Sequence, residues 1–169
     1  MKPDFFTRFN SLLSLPSVSS AHADIDMSNR PVIDHLATWF SALGFNCEII
    51  TLNDAPHKAN LIATLGTGPG GLVLSGHTDT VPFDEALWSC NPLQLTQKDN
   101  RLYGLGSTDM KGFFAVVYEA VQKFREASFK APQIILATAD EESSMEGEHQ
   151  LVHLGRPQAR ADLIGAPDG

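Results

Sequence analysis

The sequence predicts an α/β domain, a sheet covered by helices, on three observations. Short continuous apolar runs at 71–76 and 133–139 have the length and the flanking residues of buried strands. Apolar residues recur at spacings of three and four over 3–15, 28–43 and 113–124, the period of amphipathic helices. The first apolar run breaks off into His77 and Asp79, which places a histidine and a carboxylate at a strand mouth, where open α/β sheets hold their ligands. At 169 residues the chain is the size of one ordinary domain, able to bury about two thirds of its unfolded surface.

In chain order, Phe5, Phe6, Phe9, Leu12 and Leu13 form one stripe of a helix that ends before Pro16. Residues 17–27 read as a polar loop. Val32, Ile33, Leu36, Trp39, Phe40 and Leu43 give a second helix, capped near Ser28 and stopped by Gly44. Residues 45–52 and 60–65 are strands around a loop holding Pro56 and His57. Gly66-Thr-Gly-Pro-Gly-Gly71 satisfies G-x-G-x-x-G but opens no helix, so it reads as a hairpin turn between two strands and not as a phosphate loop. The strand 71–76 follows, then a loop with Trp88, and then a hairpin of 93–96 with 101–103. Residues 104–112 lead into a helix with Phe113, Phe114, Val116, Val117, Ala120, Val121 and Phe124 on its apolar face. Asp109 falls at the start of that helix, where free N–H groups and the dipole favour a carboxylate. The strand 133–139 ends in Asp140-Glu-Glu142, a helix spans 146–154, and the chain closes on a short strand and loop from Arg160.

Composition sets limits on partners and compartment. Twelve basic against 20 acidic residues give a formal charge of −8, which disfavours nucleic acid and anionic membranes. No stretch approaches a spanning length of apolar residues, and the N-terminus has no uninterrupted apolar core of a signal peptide. Cys47 and Cys90 are too few for a disulfide framework and neither lies in a C-x-x-C, as in a cytoplasmic protein with reduced thiols.

Three segments carry chemistry. His77 and Asp79 share a side of extended backbone, so the carboxylate is placed to orient the imidazole or to ligate beside it. Asp109 and the acids 140–142 join them at one rim, and like charges packed so closely are costly unless a cation neutralises them or one is protonated, which argues for a metal. One imidazole with several carboxylates suits Zn²⁺, with Co²⁺ or Mn²⁺ as neighbours, rather than a Ca²⁺ or Mg²⁺ cage. Each segment also has a plain structural reading: a strand running into a turn closed by Pro82, an N-cap at Thr108 or Asp109, and a solvated acidic turn. His149 and His153, four apart with no H-E-x-x-H around them, read as a solvated pair.

Together, SGHTDTVP (75–82), GLGSTDMKGF (104–113) and ATADEES (137–143) resemble the signatures of the zinc-dependent amidohydrolases that include acetylornithine deacetylase, succinyl-diaminopimelate desuccinylase, aminoacylase and related carboxypeptidases. The likeness runs along nearly the whole chain and is strongest to the acetylornithine deacetylase branch. It implies a three-layer α/β/α zinc-peptidase-like domain with a mixed central sheet, incomplete at its C-terminal end. It also implies hydrolysis of the amide of an N-acyl amino acid, N2-acetyl-L-ornithine in arginine biosynthesis, with a desuccinylase or a non-catalytic metal-binding remnant as alternatives. Two zinc ions are implied: His77 binds one, Asp109 bridges both and Glu142 binds the other, while Asp79 orients His77 and Glu141 is the general base. Residues 1–169 then correspond to the N-terminal part of the catalytic domain, without the lid or dimerisation domain and the C-terminal return of longer members, which are homodimers. One departure concerns the metal. The family usually reads G-E-P-T, its glutamate ligating the His77 metal, where this chain has Gly165-Ala-Pro-Asp168, leaving Asp168 and Asp162 as the nearby acids.

Overall fold

The computed structural model describes residues 4–165. Its centre is a five-stranded mixed sheet of β1 (Asn46–Thr51), β2 (Ala59–Leu65), β3 (Leu72–His77), β6 (Gln133–Thr138) and β7 (Ala161–Ile164), in the order β1-β2-β6-β3-β7. The pairs β1–β2 and β2–β6 are antiparallel, whereas β3 runs parallel to both β6 and β7. A two-stranded ribbon, β4 (Thr96–Lys98) with β5 (Arg101–Tyr103), stands apart from the sheet.

Side chains alternate along each strand, and the two faces are covered unequally. Leu61 and Ala63 of β2 with Ile135 and Ala137 of β6 meet α1 (Phe5–Leu13), α2 (Arg30–Ser41) and α3 (Lys111–Lys123) in the main core. Ile33, Leu36, Phe40 and Phe114 are fully buried there, each contributing about 1.5–3 kcal/mol by leaving water. The opposite face, with Ile62, Val73 and Ile134, is closed by Leu151 of α4 (Glu146–Leu154). Three layers result, as the sequence resemblance implied.

The order of the strands explains where the site lies. The chain goes from β3 through α3 to β6 in one direction, then from β6 through α4 past β3 to β7 in the other. A crossover of constant hand must put helices of opposite travel on opposite faces, and α3 and α4 do lie on opposite faces. The reversal leaves a crevice off the C-terminal ends of β3 and β6.

Several expectations from the sequence need correction. Residues 66–71 do not close a hairpin, because β6 lies between β2 and β3. Gly71 serves a close approach instead: it has φ +119°, and a side chain there would overlap the Pro132 carbonyl just before β6. The ribbon strand begins at Thr96 and not at Leu93, since the turn residues Asp99 and Asn100 with φ of 51° and 57° set the register. Neither Thr108 nor Asp109 caps α3, whose N-cap is Met110. Phe6, Val116 and Phe124 lie on the outward edges of their stripes and are exposed. At α2 the Ser28 hydroxyl accepts the Arg30 N–H at 3.1 Å, which frees the N-cap Asn29 for longer-range bonds. The Asn29 amide donates to the Ala59 carbonyl and to the Thr78 hydroxyl, both at 2.8 Å, and so ties the helix start to the loop after His77.

Candidate metal centre

Parallel pairing fixes the first two parts of the site. His77 and Thr138 are register partners at the ends of β3 and β6, so the loops after both strands leave on the same side. The segment before α3 adds Asp109. His77, Asp109, Glu141 and Glu142 are thereby brought to one rim, as expected from the sequence.

His77 is buried, and its two ring nitrogens face different partners. Nδ1 lies 3.1 Å from the Asp79 carbonyl oxygen, to which its N–H donates, with the Asp79 carboxylate 3.5 Å away. Nε2 lies 3.0 Å from Asp109 Oδ1 and 3.8 Å from Glu141 Oε2. Asp79 thus orients the ring chiefly through its backbone carbonyl. Its Oδ2 accepts the Glu142 N–H at 3.0 Å, which stitches the β3 loop to the acidic corner, and its buried Oδ1, the oxygen 3.5 Å from His77, makes no hydrogen bond among the described residues.

The electrostatics of this set are those of a cation site. His77, Glu141 and Glu142 each present a ligand atom, all within 4.8 Å of one another. Burial alone would push the His77 imidazole down, but the Asp79 and Asp109 hydrogen bonds and the Glu141 charge outweigh it and hold it at about 9. Burial pushes the Glu142 carboxyl up, and the neighbouring Asp109, Asp79 and Glu141 charges add to that. A bound divalent ion would relieve both effects, and the mixed nitrogen and oxygen donors fit Zn²⁺. The side chains of Glu141 and Asp109 are about half exposed, so the cluster opens to solvent. It forms one wall of a cavity of about 390 Å³ that also contains Met110, Met145, Glu148 and Ile164.

Not all the acids join. Asp140 takes a left-handed backbone conformation, φ 67°, and turns its carboxylate away from the cluster. There it is buried against Lys58 Nζ and accepts the Ser19 hydroxyl at 2.5 Å. Lys58 Nζ is also 2.6 Å from Asp26. This ion-paired anchor under the Glu141–Glu142 corner was not foreseen, because its lysine lies 82 residues upstream. Lys111 was also missed. It is fully buried, donates to the Leu15 carbonyl at 2.9 Å, and is pushed down to about 8 by burial, against the opposing pull of Asp79. Glu148, also in the cavity wall, carries no mark in its local sequence.

Asp162 is excluded as a ligand. It pairs with Val73, four residues before His77, and is therefore roughly 13 Å away along the strand direction. Ala166 and Asp168 lie outside the described residues. His149 is exposed, and His153 Nδ1 donates to the His149 carbonyl at 2.8 Å, so the two rings share no ligand position.

The chain is similar to known proteins both in sequence and in fold. A profile of peptidase family M20/M25/M40 matches residues 73–169. Acetylornithine deacetylases from Vibrio parahaemolyticus serotype O3:K6, Photorhabdus laumondii subsp. laumondii and Klebsiella pneumoniae are 51%, 50% and 46% identical over 165 residues. Each match takes in 98% of this chain, which spans 43% of the length of those relatives. An M20 family metallo-carboxypeptidase from Sulfolobus solfataricus superposes with a TM-score of 0.80 at 16% identity, covering 98% of this chain and 38% of the other. A tripeptidase from Staphylococcus aureus gives 0.71 at 20% identity, over 98% and 43%. These two likenesses establish the fold. With the profile covering the strand, helix and corner that build the metal centre, the chain belongs to peptidase family M20/M25/M40.

Proposed function

We propose that residues 1–169 form the N-terminal part of the catalytic domain of a zinc-dependent N-acyl amino acid amidohydrolase, which cleaves N2-acetyl-L-ornithine to L-ornithine and acetate. The observation that carries this reading is the convergence of His77, Asp109, Glu141 and Glu142 at the mouth of β3 and β6. The identity to acetylornithine deacetylases supports the substrate. On this reading the protein serves arginine biosynthesis in the cytoplasm. The remaining length of the relatives supplies a lid or dimerisation domain and the other metal ligand, and the whole enzyme is a homodimer. Among the described residues no helix is long and apolar enough to cross a membrane.

His77, Asp109 and Glu142 would hold two zinc ions, and Co²⁺ could replace them. When bound, they would supply Lewis acidity to the acyl oxygen and acidify the attacking water. The rest is done by the chain's own groups. Asp79 holds the His77 ring with Nε2 facing the cluster. Glu141, half exposed at the rim, accepts a proton from water as the C–O bond forms and delivers it to the amine as the C–N bond breaks. Ala166, where the family has a glutamate, favours a second reading: a chain that binds metal weakly and turns over slowly.

Zinc content after dialysis, measured together with acetylornithine hydrolysis, separates these readings. The chain should retain zinc, Glu142→Ala should retain less, and Glu141→Gln should keep its zinc but lose hydrolysis by roughly 10²-fold or more. Zinc without hydrolysis in the unaltered chain would select the second reading. Equal zinc in the chain and Glu142→Ala, or full activity in Glu141→Gln, would refute the assignment.

A further inference from the structure

Glu148 is the one acid of the cavity to which the reading above gives no task. It lies in the first turn of α4, and that turn is clamped to the sheet. The Asn60 amide donates to the Gly147 carbonyl at 2.8 Å, and Asn60 Oδ1 accepts the Ala139 N–H at 3.1 Å. A side chain at Gly147 would overlap the Ala139 carbonyl, so the turn lies directly against the residue that follows β6. Glu148 is therefore held over the end of β6, against Thr138, in the wall of the cavity that contains His77, Asp109 and Glu141.

Glu148 Oε2 is buried with no hydrogen-bond partner among the described residues, whereas Asp140, on the other side of the same corner, has Lys58. Burial pushes the Glu148 carboxyl up, against a smaller opposing pull from Thr138, and the Asp79 and Glu141 charges add to the rise. Metal ions would balance the cluster at His77, which Asp109 and Glu141 face at 3.0 and 3.8 Å, while no such pair joins Glu148 to His77 among the described residues.

We propose that Glu148 is a specificity residue that pairs with an ammonium group on the side chain of the N-acyl amino acid. This rests on the amidohydrolase reading of the site. Met110, Met145 and Ile164 line the cavity beside it and suit methylene groups. Thr138 sits beside His77 on the neighbouring strand, so Glu148 is displaced from the scissile bond by about one strand spacing, near 4.8 Å, plus a side chain. A chain of three methylenes ending in an ammonium, as in ornithine, spans such a gap. The cation would give the buried oxygen its missing partner.

The test is calorimetric binding of N2-acetyl-L-ornithine and N-acetyl-L-norvaline, which has the same side-chain carbons and no ammonium, to the zinc-loaded 169-residue chain. The ornithine ligand should bind roughly tenfold to a hundredfold more tightly, the worth of one charged hydrogen bond. Glu148→Gln, and equally Glu148→Ala, should bring the two ligands to parity with zinc content unchanged, while Glu146→Gln on the same turn keeps the preference. Equal affinities in the unaltered chain, a preference that survives both Glu148 variants, or loss of zinc in them would overturn the proposal. A preference for ornithine without hydrolysis of either compound would sustain the ammonium subsite and count against the hydrolase reading. Hydrolysis of both at equal affinity would do the reverse.

Discussion

Replacing Lys58 by methionine should destabilise the protein by about 3–5 kcal/mol, the usual cost of leaving a buried charge without its partner. The lysine side chain is 4% exposed, and the two carboxylates it joins, Asp140 and Asp26, are 7% and 14% exposed. Solvent therefore screens little of the loss. Methionine keeps the length and apolar stem, so the effect is electrostatic rather than a cavity. In a domain of this size the change corresponds to a fall in Tm of roughly 6–20 °C. Urea denaturation of Lys58→Met, Asp140→Asn and the double variant gives the coupling directly, and the double variant should recover most of the single loss. The effect should hold across neutral pH. Burial disfavours the Asp26 carboxylate, but its bonds to Lys58 and His57 outweigh this and hold it below its ordinary 3.8, so its contribution is lost as pH falls through that lower value. Burial likewise opposes the Lys58 charge, yet its carboxylate bonds hold it above 10.5, so its contribution is lost only as pH rises beyond that. Because Asp140 precedes Glu141 and Glu142, zinc affinity should also drop by about 10–100-fold. A cost below about 1 kcal/mol, or additive effects in the double variant, would refute a buried ion pair as the anchor of the acidic corner.

Zinc binding should release a proton at pH 7, since the imidazole of His77 is held at about 9 without metal and its Nε2 proton must leave. The apparent association constant should climb about tenfold per pH unit from 6 to 8, and calorimetry in buffers of different ionisation enthalpy reads the proton count. By the same linkage the metal-free chain has the full stabilisation from charged His77 below pH 6.5 and loses it as pH rises through 9; metal-free melting against pH checks this. Gly71→Ala should cost about 1–3 kcal/mol more than Gly68→Ala. Both positions have positive φ, but only the first meets backbone, at Pro132, while the second has open space around it. Equal losses in thermal unfolding would show that conformation, not close approach, demands glycine at 71.

The period of the apolar residues carried most of the local structure. Helical stripes at Phe9, Leu12 and Leu13, or at Ile33, Leu36 and Phe40, state which face is buried whatever they pack on. The run 71–76 breaking into His77 and Asp79 likewise marked a strand end bearing polar groups, and the metal-ligand candidates came from residue type at such ends. Their meeting was a different matter. It depends on β6 lying parallel to β3 and inserting between β3 and β2, a long-range pairing that no local period encodes and that turned an expected hairpin into a crossing. Backbone geometry then sorted three consecutive acids that composition could not distinguish. The left-handed turn at Asp140 sends one carboxylate to Lys58, while Glu141 and Glu142 face His77. Glu148 shows the same division. Its identity was plain in the sequence, but its unpaired burial in the wall of the site arises only because Asn60, on another strand, pins the first turn of α4 against β6.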